Sequence, residues 1–113
     1  MISNKLVKKL FNYGGSTIYE DNRIYNFKDL IDSCITSEEI ALFMKSHNNH
    51  LWYIEACAAI IMEKFFDTKY EDINESITNE ILNMSTSEIY NKMLKKSKQI
   101  KLKQKIANID KDF

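Results

Sequence analysis

The stretch HLWYIEACAAIIMEKFF, residues 50–66, decides how this chain folds. Ile54, Ala58, Ile61 and Phe65 recur at spacings of four, three and four, the period of one helix face. Ala56, Cys57, Ala59 and Ile60 widen the apolar arc well beyond a single stripe, and a helix apolar on nearly every side is buried on most sides. Glu55, Glu63 and Lys64 mark its narrow outlet to water. The expectation is a central helix over about 50–66 with Ile54, Ala58, Ile61 and Phe65 in the core. It is not a membrane span: its seventeen residues include three charges, where a span needs about 20 mostly apolar ones.

On the N-terminal side, TSEEIALFM, residues 36–44, opens with a capping box. The Thr36 hydroxyl can accept from the N–H three residues on while Glu39 reaches back. SHNNH, residues 46–50, breaks that helix, because Asn and Ser compete for backbone hydrogen bonds. Leu6, Val7, Leu10 and Phe11 have helical spacing, with Gly14-Gly15 as the stop. Residues 16–27 alternate weakly, which allows a short hairpin around Glu20-Asp21-Asn22, and FKDLIDSCI allows a helical turn or two. On the C-terminal side, residues 67–84 are polar and read as an extended connector, with a short helix as the alternative. Ser85-Thr86-Ser87-Glu88 is a second capping box. It opens a long helix over about 86–102 with Ile89, Tyr90, Met93, Leu94, Ser97 and Ile100 on one face. The apolar stripe thins after Leu102, so residues 103–113 read as a flexible or partner-docked tail.

The whole is expected to be one mainly α domain, residues 1–113: a compact helical bundle around the buried central helix. The absence of proline and the presence of only two glycines argue against sandwiches and barrels, which need turn residues at regular spacing. No signal peptide is recognisable near Lys5, Lys8 and Lys9. Cys34 and Cys57 read as reduced thiols, Cys57 packed as a small hydrophobe. The formal charge of zero hides an asymmetry. Residues 55–88 carry eight acids against Lys64 and Lys69, and residues 89–113 carry eight lysines against Asp110 and Asp112. Such segments can meet as unlike faces of neighbouring molecules or can simply be solvated.

Chemistry is sparse. His47 and His50 have the gap of a metal pair, but no Cys pair or third histidine completes the four ligands that structural zinc takes. Asp67, Glu71 and Asp72 lie in a polar segment where carboxylates are solvated, and Gly14-Gly15-Ser16 lacks the lysine ending of a phosphate-binding loop. No serine or cysteine has a histidine context for nucleophilic catalysis. The expectation is a protein without an active site, metal or cofactor. Seven lysines between 92 and 105 could neutralise phosphates, but base readout favours Arg, Asn and Gln at set positions, and Arg23 is the lone arginine.

The order of parts resembles a family. TSEEIALFM (36–44), an Asn-containing break, LWYIEACAAIIMEKF (51–65), an acidic connector and SEIYNKMLKKSKQIK (87–101) look like the small head–tail connector, or adaptor, proteins of tailed bacteriophages. The resemblance covers about residues 29–100. It departs from that pattern in its bulky central Ile, Met and Phe, and it leaves residues 1–28 unmatched. It implies a structural virion protein, made in the bacterial cytoplasm and located at the head–tail interface. It would form a ring, usually twelvefold, beneath the capsid portal, with tail or stopper proteins below and double-stranded DNA passing through without sequence recognition. Lys101, Lys103, Lys105, Ile106, Ile109 and Phe113 would then dock on the portal or a neighbour. The alternative expectation is a small phage- or plasmid-encoded inhibitor or regulator that binds a host protein or nucleic acid through the lysine helix.

Overall fold

A computed structural model describes residues 2–15 and 17–111, with side chains described for these apart from residues 14, 15 and 107–111. Six α-helices, a two-stranded hairpin and one 3-10 turn are present among the described residues. In chain order they are α1 (Asn4–Gly15), β1 (Thr17–Glu20), β2 (Arg23–Asn26), α2 (Phe27–Cys34), α3 (Ser37–Ser46), α4 (Tyr53–Phe66), the 3-10 turn (Tyr70–Asp72), α5 (Glu75–Leu82) and α6 (Thr86–Lys111). The fold is mainly helical, as the periodicity predicts.

Local signals set most boundaries. In α3 both halves of the capping box form: the Glu39 N–H donates to Thr36 Oγ1 (3.2 Å) and the Thr36 N–H donates to Glu39 Oε1 (3.3 Å). At α6, Ser85 Oγ accepts from the Glu88 N–H (3.2 Å) and donates to Glu88 Oε1 (3.1 Å), so the carboxylate closes on the hydroxyl. α3 stops where Asn48 and Asn49 turn to positive φ, 57° and 58°. Asn tolerates this region because its short amide can bond locally. The hairpin pairs Thr17 with Asn26 through Glu20 with Arg23, antiparallel. Its two central residues, Asp21 and Asn22, both have positive φ (51° and 62°), as a type I′ turn requires.

The core answers what wraps the apolar helix. α4 packs most extensively on α1, then on α3 and α6. Ala56, Ala58, Ala59, Ile60, Ile61, Met62 and Phe65 are all buried within the single chain. The N-terminal segment, unmatched by the family resemblance, thus supplies the main cover through Leu6, Val7 and Leu10. An aromatic cluster joins the remaining layers: the Phe27 ring lies 4.4 Å from Tyr13 and meets Tyr90 edge-on at 5.2 Å, and Tyr25 meets Tyr90 at 5.3 Å. Edge and offset contacts of this kind add to area burial.

Three expectations change. Ile54 belongs to the core face by spacing but is 39% exposed. The helix begins at Tyr53 rather than near His50, and helical side chains lean toward the N-terminus. Ile54 therefore leans past the first turn, where only the loop from 50 to 52 precedes it. Within residues 67–84 the alternative, a short helix, is what forms, after a stretch of loop and one 3-10 turn. Asn74 Oδ1 accepts from the Ile77 N–H (2.9 Å), and the capped segment forms α5, burying Thr78 and Ile81. Finally, α6 does not end near 102 but runs helical to Lys111. Lys, Leu and Gln between 101 and 105 are good helix formers, so the helix outlasts its packing.

One long-range tie fixes α5. Lys9 Nζ donates to the carbonyls of Ile81 (3.1 Å), Leu82 (2.9 Å) and Met84 (3.1 Å), closing the C-terminal end of that helix. Burial draws the Lys9 pKa below the ordinary lysine value. Lys9→Met keeps the apolar stem and removes the donor. It is expected to lower unfolding free energy by about 1.5–3 kcal/mol, the worth of hydrogen bonds to a charged group. Urea titration checks this, and an unchanged midpoint would mean that water replaces the ammonium at no cost.

Candidate docking surfaces

The end of α6 is the first candidate. Ile89, Met93 and Ser97 are buried, and the Ser97 hydroxyl is satisfied by donating to the Leu94 carbonyl (2.7 Å). Tyr90, Leu94 and Ile100 are partly buried. From Lys101 to Ile106 every residue is exposed. Leu102 (59% exposed) and Ile106 (51%) lie one turn apart on one face, flanked by Lys101, Lys103 and Lys105. Of the other residues expected to dock, the side chain of Ile109 and the whole of Phe113 lie outside the described residues.

The lysines further up α6 divide into two groups. Lys96 bonds Asp67 (2.7 Å), the left-handed C-cap of α4, and Lys92 sits 5.5 Å over the Phe66 ring. Both fasten α6 to the end of α4. Lys95, Lys98, Lys101, Lys103 and Lys105 are exposed. Among the described residues, Lys96–Asp67 is the one ion pair between the acidic and basic halves, so most of that asymmetry faces outward.

The second candidate is a cleft of about 270 Å³ where α1, α2, α3 and α4 meet, walled by Phe11, Ile35, Ile40, Tyr53, Cys57 and Ile61. Asp32 lines it from α2 and is exposed. Burial pushes the Cys57 thiol up in pKa, and the neighbouring Tyr53 hydroxyl pulls it the other way. The charge of a Cys57 thiolate in turn raises the Tyr53 phenol, with Asp32 a smaller contributor. A thiol so placed stays protonated, which suits an apolar wall better than a nucleophile.

Beside the cleft, Trp52 (75% exposed) and Tyr53 (54%) project from the start of α4, where Trp52 occupies the cap position without a side-chain cap bond. The sequence reading missed both as surface residues. A usable signal was present: the residues after SHNNH must leave a loop before α4 can start, so its first turn emerges at the edge of the bundle. Leu42, on α3, is 65% exposed.

The histidines do not converge. His47 Nδ1 donates to the Phe43 carbonyl (2.9 Å), and its ring packs between Phe43 and Tyr70, while His50 is exposed. No group of three or more potential metal ligands occurs among the described residues. Cys34 is buried and Cys57 partly buried, both as free thiols. No helix among the described residues is long and apolar enough to cross a membrane. In comparisons with known proteins, no protein-family model, no curated protein and no solved structure matches this chain.

Proposed function

We propose that this chain is a structural adaptor that works by docking on protein neighbours, in the specific form of a head–tail connector subunit that assembles as a ring beneath a phage capsid portal. The observation that carries the reading is the end of α6. It leaves the body of the molecule as a helix with an apolar pair, Leu102 and Ile106, exposed among lysines. Two large aliphatic side chains one turn apart on one face are the anchor pattern of a helix that docks in a groove. The cleft beside Tyr53 and Cys57 is a second and different apolar surface. Two unlike surfaces on one subunit are what head-to-tail assembly into a ring needs. The sequence pattern over about residues 29–100, which resembles that of connector proteins, supports the same reading.

Light scattering and sedimentation of the purified chain, alone and with portal protein, test it. Self-association with concentration, or a stable complex with portal, is the expected result. A chain that stays monomeric at every concentration and ignores portal, but binds DNA with affinity falling steeply as salt rises, would replace this reading with that of a nucleic-acid-binding regulator acting through the α6 lysines.

A further inference from the structure

We propose, resting on the self-assembly reading above, that the exposed end of α6 from one copy seats in the cleft between α1, α2, α3 and α4 of a second copy. Leu102 and Ile106 enter the apolar cleft, and the lysines beside them face Asp32 at its wall.

Three observations choose this occupant. The first is charge. Residues 98–106 carry Lys98, Lys101, Lys103 and Lys105 with no acid, and the charged side chain that lines the cleft is the exposed carboxylate Asp32, with no base in the lining. Opposite fields of this kind steer encounter and fix orientation. The second is size. The cleft holds about 270 Å³, below the roughly 300–1,000 Å³ of small-molecule sites. It suits aliphatic side chains presented one helical turn apart, the anchor spacing of a helix lying in a groove. The third is reach. α6 is one continuous helix to Lys111, and its residues 101–106 are exposed, so these side chains do not fill the cleft of their own chain. The filling helix comes from elsewhere. The neighbouring groove between α3 and α4 is a poorer receiver for a basic arm, because its lining carries Lys64, paired with Glu39, beside Glu63. Since arm and cleft are different surfaces, the contact is heterologous: each copy gives an arm to one neighbour and a cleft to the other, which closes a ring or runs on as a chain.

Cys57 in the cleft wall provides the test. The full chain carrying Leu102→Cys is exposed to a mild oxidant and run on a non-reducing gel, beside wild type and a Leu102→Cys, Cys57→Ala control. Cys34, 2% exposed, does not compete. A disulfide forms only when the two Cα atoms come within about 7 Å. The expected result is a ladder of covalent multimers from Leu102→Cys alone, because each link joins an arm to a cleft and leaves one of each free. Two outcomes overturn the inference while leaving self-assembly intact: no ladder from a variant that light scattering shows to be assembled, or dimers only, persisting when Cys57 is Ala, which would mean arm-to-arm pairing. A wild-type chain that is monomeric throughout overturns the self-assembly reading itself, and this inference with it.

Discussion

Replacing Phe65 by Ala is expected to lower the unfolding free energy by about 3–5 kcal/mol. Phe65 is 1% exposed and sits on the α4 face that spacing assigns to the core. Its removal loses the transfer energy of the ring and leaves a cavity that the surrounding core can only partly close. Ile61→Ala, also at a position 1% exposed, is expected to cost about 2–5 kcal/mol by the same mechanism. Ile61 also walls the cleft, so relaxation into that space places it toward the lower part of the range. Ile54→Ala is the internal control. It shares the helix face but lies in the first, exposed turn, and should change stability by no more than about 0.5 kcal/mol. Urea titrations of the three variants measure the pattern. A loss under about half a kcal/mol at Phe65 or Ile61, or a large loss at Ile54, would mean that α4 packs on a different face.

Deleting residues 103–113 is expected to abolish docking and leave the body of the fold in place. Among the described side chains of that segment, Gln104, Ile106 and the two lysines are exposed, so their loss removes no core contact. Ser97 and everything before it keep their partners. Helical signal should fall only by the share of the removed turns of α6, and the thermal midpoint should stay nearly unchanged. Self-association and attachment to portal-bearing heads should be lost, because Leu102 remains without Ile106 one turn on and without Lys103 and Lys105 beside it. A truncated chain that assembles and attaches at the wild-type level would place docking elsewhere, with the aromatic pair Trp52 and Tyr53 the next surface to mutate. A truncated chain that unfolds would mean that the segment belongs to the core.

How much could be read in the sequence depended on whether the cause was local. The capping box at Thr36, the Ser85 hydroxyl cap of α6, the Asn break after α3 and the hairpin turn at Asp21-Asn22 are short-range hydrogen bonding and backbone preference, so residue order alone determined them. The breadth of the apolar arc in α4 likewise determined a mainly helical fold around one buried helix, since nothing but burial accommodates Ala56 through Phe65. α5 was partly legible: the Asn74 cap is local, but polar Thr and Asn in its body hid the burial of Thr78 and Ile81. Tertiary structure alone decided the rest. Periodicity assigns Ile54 to a face but not to a depth along the helix, and only the position of the bundle's edge leaves it, with Trp52 and Tyr53, in water. The stripe on α6 thins after Leu102, yet helix formation does not require packing where propensity suffices, so the arm continues past the body. The cleft has no signature in order or spacing, because its walls come from four helices and exist only once α1 has folded back over α4. The same return of the N-terminal segment, an interaction between residues some fifty positions apart, is what makes the central helix a core within one chain rather than a surface awaiting a neighbour.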